Sequence, residues 1–428
     1  MKELENGLRG HGPLMLAILL LFLGAALIVG TRGSLKATSS LNLVYLETNE
    51  GSVPDMNAVV GFSNSGGTLT QLSGSPWSTR GTGVYDPGQA KGKNEFDADG
   101  QLFISYRNNV LYAVNGDSNT FAAFSIDADT GALAPLPGSP YKSEGSDPVS
   151  FGYFSDILSS DKESWLGIVN KGADPNQTDT PPNVVAFEVD SQGIPVFVTK
   201  SVVTLKSGTS PSQLVTAVGS VTKHEYYAFL DQYETSGSSL AGVYASEVLG
   251  DGGLKLVNSA RNPTDPPTLG LALNPSSRVL YAGFPTLNEV GAFSYSGTTG
   301  TVSFLSAFAN PGNGVGWLVV GPPNIGKGAA FLYTSEPGSG TITVYSIGFD
   351  GTNLTEVQHF TLSGTGTIPG NLAFDPTGAY LYCLDNVHAM LHVLDVDNQN
   401  GQLSEPNPPT AISEPSGEEP LGLATALY

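Results

Sequence analysis

One repeating unit governs what this chain can fold into. Its clearest copy is Phe121–Pro140, FAAFSIDADTGALAPLPGSP. Apolar and polar residues alternate through Phe124-Ser125-Ile126, turn chemistry fills Asp127 to Gly131, and the alternation resumes at Ala132 before Pro137-Gly138 ends it. The pattern specifies two strands around a tight turn. An isolated hairpin is marginal in water, so the unit needs neighbours, and the chain supplies them by repetition. From Asn42 onward seven copies follow one another, with leading strands at Val44-Tyr45, Leu111-Tyr112, Leu166-Gly167, Tyr226-Tyr227, Leu280-Tyr281, Leu332-Tyr333 and Leu381-Tyr382. Their spacing of roughly 50 to 67 residues suits a four-stranded blade, and a ring of such blades is a β-propeller.

The phase of the two ends makes the expectation sharper. The chain enters the pattern at a second strand, Leu43 to Thr48, and leaves it with an orphan apolar strand, Leu421 to Tyr428, that is similar to the innermost strands at Leu269 to Leu273 and Asn371 to Phe374. The last strand is therefore expected to complete the first blade, which removes the open edge that invites aggregation. The predicted fold is all-β: a seven-bladed propeller of four antiparallel strands per blade, closed by its C-terminal strand. Composition agrees. With 53 Gly, 29 Pro and 13% charged residues, the chain favours short strands and turns over helices.

Ahead of the repeats lies Pro13 to Gly30, PLMLAILLLFLGAALIVG, flanked by Lys2, Arg9, Arg32 and Lys36. A hydrophobic helix is expected here, serving as an export signal or a membrane anchor. The expected division is thus a segment at 1–39 and a propeller at 40–428. The propeller is expected outside the cytoplasm, periplasmic or secreted, with membrane contact only through that segment.

The pattern Leu111-Tyr112-Ala113-Val114-Asn115, then FSIDADTGAL and GSP, with Phe374-Asp375-Pro376-Thr377-Gly378, resembles the lactonase-type seven-bladed β-propellers, relatives of 6-phosphogluconolactonase. The resemblance covers about Asn42 to Tyr428. It implies a lactone hydrolase in which basic residues after a proline, at the start of innermost strands, bind and activate the lactone. Here the corresponding places are Pro211-Ser212-Gln213, Thr268-Leu269-Gly270 and Pro369-Gly370-Asn371, so the basic residues are missing. A phosphorylated substrate calls for a cationic cluster, and none is visible.

Antiparallel strands send successive connections to alternate faces of the disc. Asp97–Gly100, Asp127–Gly131 and Asp375–Gly378 are taken as short turns sharing one face. The long connections Trp77 to Lys93, Lys171 to Pro182 and Arg261 to Pro267 share the other, where binding residues concentrate. Second strands end there in Thr48, Asn115, Asn170, Asp231, Phe284, Glu336 and Asp385, a polar and partly acidic ring. Asn115, Asn170, Asp231, Lys171 and Arg261 are the candidate ligand-binding residues. Each Asn or Asp has the plainer explanation that it caps its own hairpin. If there is catalysis, a carboxylate raised in pKa by burial can act as general base on water. Glu336 and Asp385, with His388 nearby, are the candidates.

No metal site or cofactor is expected. His388 and His392 have the i, i+4 spacing of helical zinc ligands, but on strands that spacing separates them by roughly 13 Å. Gly321–Gly328 nearly matches a phosphate-binding loop yet ends in glycine where the magnesium-binding hydroxyl belongs. The formal charge of -21 repels phosphate backbones, which argues against nucleic acid as a partner. The lone Cys383, within Leu381-Tyr382-Cys383-Leu384, is expected to be an inert core thiol. The leading expectation is an exported monomer that binds a small polar ligand or a protein partner at the channel mouth. The alternative is a hydrolase of a non-phosphorylated lactone.

Overall fold

Each strand presents a side chain alternately to one face and the other, so a blade buried on both faces needs apolar residues at nearly every position. The second strands meet that requirement: Val110–Asn115, Ser164–Asn170 and Val279–Phe284 are buried throughout. The computed structural model describes residues 40–84, 98–155, 164–172, 180–207, 209–220, 225–234, 241–274, 276–322, 330–413 and 419–428. The hydrophobic segment at Pro13–Gly30 and the loop-like Gly321–Gly328 motif from Pro323 onward lie outside the described residues. Among the described residues no helix is long and apolar enough to cross a membrane.

Seven antiparallel sheets form the ring. From the innermost strand outward, blade 2 is Leu102–Ser105, Val110–Asn115, Thr120–Ile126 and Leu133–Pro135. Blade 3 runs Pro148–Ser155, Ser164–Asn170, Asn183–Val189 and Pro195–Phe197, and blade 4 runs Thr209–Ser220, Glu225–Glu234, Gly242–Val248 and Leu254–Ala260. Blade 5 is Leu269–Asn274, Val279–Phe284, Glu289–Tyr295 and Val302–Ala309, and blade 6 is Leu318–Val320, Ala330–Glu336, Thr341–Ile347 and Leu354–Thr361. Blade 7 comprises Pro369–Phe374, Tyr380–Asp385, Met390–Val396 and Leu403–Ser404. Blade 1 is shared by the two chain ends. Leu421–Leu427 is its inner strand, paired antiparallel with Asn42–Glu47 in the register Asn42↔Leu427, and Ala58–Ser65 and Thr68–Gln71 complete it.

The core is divided into seven apolar clusters, each formed between two adjacent blades. Burial therefore holds blade to blade rather than filling one central mass. A polar tie repeats with it. The tyrosine of a second strand reaches the turn between third and outer strands in the next blade, where its hydroxyl donates to a glycine carbonyl: Tyr45 to Gly131 (2.7 Å), Tyr112 to Gly193 (2.8 Å), Tyr281 to Gly351 (2.7 Å) and Tyr333 to Gly401 (2.7 Å). These glycines have φ between 73° and 84°, the left-handed region that admits glycine without strain. In blade 3 Trp165 takes the tyrosine's place, against Gly252.

One turn lies elsewhere than expected. The described part of Asp97–Gly100 is not a short-face turn, because it leads into the innermost strand of blade 2 at Leu102 and so belongs to the blade-to-blade connection. The actual first-to-second turn is Tyr106–Asn109, where Asn109 has φ 51°. Asp-x-Asp-Gly carries turn chemistry, but that chemistry does not say which connection the turn makes.

Candidate functional site

The strand order puts second-to-third and blade-to-blade connections on one side of the ring, and the starts of the innermost strands open onto that side. Ala98–Gly100 extends from blade 2 into this channel and is held from several blades. The Ala98 carbonyl accepts from the Trp317 indole N–H (2.8 Å) and from the Asn371 and Gln101 side-chain amides. The Asp99 carboxylate accepts from the amides of Asn371 (2.9 Å) and Gln213 (3.3 Å). Blades 2, 4, 6 and 7 are thus joined through one three-residue segment. Gln213 and Asn371 occupy two of the places where the family resemblance calls for basic residues, so in this chain those positions fasten the channel.

The expected polar ring is present at the second-strand ends, but it is packed under the loops. Asn115 accepts from Asn57 (3.0 Å), on the connection between the second and third strands of blade 1, and from Thr79 (2.6 Å), on the connection leaving that blade. Asn170 donates to the Ser143 carbonyl (2.9 Å) and the Asn183 side chain (2.8 Å). Asp231 accepts from the backbone N–H groups of Gln213 (2.6 Å) and Gly270 (2.7 Å), joining blades 4 and 5. Burial pushes its carboxyl up to about 7, opposed by those two N–H groups and by the nearby Lys171 ammonium. Lys171 itself is buried. Arg261 lies apart, against Asp265 at 3.4 Å on the exposed loop from blade 4 to blade 5.

Glu336 is wholly buried and accepts from Asn310 (3.0 Å), Thr341 (2.9 Å) and Thr334. Burial lifts it to about 7, against the lowering effect of those donors. A side chain so enclosed braces the loop at Asn310–Gly312; a Cβ on Gly312 would fall 2.4 Å from its Cγ. Asp385 differs. It is buried, and its carboxylate accepts from the His388 Nδ1–H (2.9 Å), while the imidazole is 44% exposed. The carboxylate fixes the tautomer and leaves Nε2 free to take a proton. His392 is buried on the next strand with Glu405 (2.6 Å) and takes no part.

Beside this pair lies a cleft of about 150 Å³ at the channel mouth. Loops after the second strands supply Pro285, Pro337, Asn386 and Val387 to its wall, and the inner-strand starts supply Leu269, Trp317, Ile368 and Pro369. Asn386 and Val387 belong to the same turn as His388, which follows them directly in the chain but is not itself part of the wall. A wider depression between blades 6 and 7, lined by glycine, serine and threonine residues, shares Pro337 and Ile368 with the cleft but has no titratable side chain in its wall. Trp317 and Asp99 escaped sequence reasoning. Both lie at inner-strand entries, which carry no repeat signature strong enough to mark them.

Residues 324–417 match the family model "Lactonase, 7-bladed beta-propeller". The chain is lactonase-like in fold. Solved structures agree around the ring. The periplasmic gluconolactonase of Pseudomonas aeruginosa superposes with a TM-score of 0.62 at 16% identity, covering 90% of this chain and 99% of that one. A Lactobacillus plantarum protein gives 0.62 at 13% identity over 91% of this chain and 100% of its own. A candidate 6-phosphogluconolactonase from Bacteroides fragilis gives 0.58 at 16% identity, covering 92% and 100%. At such identities the likeness establishes the lactonase-like fold alone. No curated protein matches the chain.

Proposed function

We propose that this protein hydrolyses a small, non-phosphorylated lactone at the long-loop mouth of the channel, with His388 as general base and Asp385 as its orienting partner. The observation that carries the proposal is the Asp385–His388 pair in the turn that also forms the cleft wall. Nε2 takes a proton from water as the water oxygen attacks the lactone carbonyl carbon. The ring C–O bond then breaks, and the imidazolium returns the proton to the leaving alkoxide, giving the open hydroxy acid. Asp385 stabilises the transient imidazolium charge. Among the described wall residues there is no Lys, Arg or His, which disfavours a phosphorylated substrate. The same lack of a cationic group favours a second reading, in which the cleft binds a ligand or a protein partner without turnover. Export or anchoring through Pro13–Gly30, and action as a monomer outside the cytoplasm, belong to the same proposal.

Proton release from a panel of neutral lactones tests it. His388→Ala is expected to lower kcat by 100-fold or more and Asp385→Asn by a comparable factor, whereas Glu336→Gln is expected to leave the rate per folded molecule near that of the wild type. A His388→Ala enzyme as active as the wild type would overturn the mechanism. No turnover of any lactone would leave the binding reading in its place.

A further inference from the structure

The wall of the cleft differs in chemistry from the polar ring beneath the loops. We infer that the cleft selects a lactone whose ring carries hydrocarbon rather than hydroxyl groups: a single five- or six-membered ring, bare or bearing a compact apolar substituent. This rests on the lactonase proposal for the chemistry, while the choice of ligand class rests on the cleft alone.

The lining is dominated by Leu269, Pro285, Trp317, Pro337, Ile368 and Val387. Four polar side chains among the described residues interrupt it, Tyr233, Trp317, Asn386 and the buried Glu419, and two of these are seen turned to the protein. The Trp317 N–H, the indole's one donor, is directed to the Ala98 carbonyl (2.8 Å), so that the ring faces the cleft as hydrocarbon. The Asn386 amide donates to the Pro420 carbonyl (2.6 Å), and its oxygen is packed against Gly370, where an added Cβ would fall 1.6 Å away. A polyhydroxylated ring entering this space would surrender water hydrogen bonds to a mostly apolar wall that cannot match all its hydroxyls. An apolar ring gains by the same burial. Size agrees: the volume of about 150 Å³ is close to that of a dry cavity that takes benzene, and so suits a single ring.

The experiment compares δ-valerolactone, δ-hexalactone and D-glucono-1,5-lactone, all esters of alkyl alcohols, measuring ring opening by proton release above the spontaneous rate and binding separately by calorimetry. The expected result is a kcat/KM at least tenfold higher for δ-hexalactone than for gluconolactone, with δ-valerolactone on the δ-hexalactone side. Ile368→Asn, which places an amide in the wall, is expected to cut that ratio several-fold. Trp317→Phe, which keeps an aromatic wall but removes the tie to Ala98, is expected to retain the preference. Gluconolactone opened as well as or better than δ-hexalactone would overturn the ligand class and leave the hydrolase proposal standing. δ-Hexalactone bound more tightly than gluconolactone but not opened would support the ligand class and overturn the hydrolase. Neither lactone bound nor opened would overturn both.

Discussion

At the scale of single residues, the buried tyrosines of the second strands are placed twice over, by packing and by a hydrogen bond. Tyr333 is fully buried and its hydroxyl ends on the Gly401 carbonyl of the next blade. Burial drives its phenol pKa upward, so it stays a neutral donor. Tyr333→Phe retains the ring but strands a buried carbonyl, and is expected to cost about 1–3 kcal/mol of stability, measured by denaturant unfolding. The recurrence of these tyrosines was legible in the sequence; their partners were not, because each lies 68 to 86 residues further along the chain. Glu336 shows the opposite case. Its position at a strand end marked it for catalysis, but three donors and complete burial make it a brace. The same position in blade 7, Asp385, holds a half-exposed imidazole instead. Strand-end placement is common to both; exposure separates them, and exposure depends on the loop above.

At the scale of elements, the C-terminal strand closes the ring. Leu421–Leu427 pairs with Asn42–Glu47, and its Thr425 hydroxyl and Gly422 N–H reach blade 7 at Phe374 (2.7 Å) and Asn371 (3.0 Å). Deleting residues 421–428 would expose Asn42–Glu47 as an unpaired apolar edge and uncover the blade 7 side of the gap. The expected outcome is a lower melting temperature with association into oligomers or aggregates, seen by size-exclusion chromatography and light scattering. A truncated chain that remains monomeric with an unchanged melting temperature would show that closure contributes little. The short-turn face was also legible for Asp127–Gly131, where Asp127 Oδ1 accepts from the Asp129 and Thr130 N–H groups (3.0 and 2.9 Å). Asp97–Gly100 was misplaced because an Asp-Gly turn signature is local, whereas its role as a channel segment depends on Trp317, Gln213 and Asn371 from distant blades.

At the scale of the whole molecule, buried carboxyls and net charge act together on stability. Desolvation raises Asp99 to about 6, Asp231 to about 7 and Glu336 to about 7. A carboxyl whose folded pKa exceeds its unfolded one stabilises most at low pH and loses that contribution as pH rises through the folded value. Between about pH 4 and 7 these groups therefore weaken the fold as they ionise, and the growing negative charge of an already acidic chain acts in the same direction. The melting temperature is expected to be a few degrees higher at pH 5 than at pH 8. Asp231→Asn is expected to flatten that profile, and a wild type more stable at pH 8 would contradict the assignment. What the sequence determined by itself was the ring, its number of blades and its closure, because those follow from a local pattern of strand and turn repeated along the chain. Tertiary structure alone decided which polar residues stand in the open. Strand ends from different blades meet only after the ring closes, and whether a side chain there faces a cleft or lies under a loop is set by contacts between segments far apart in sequence.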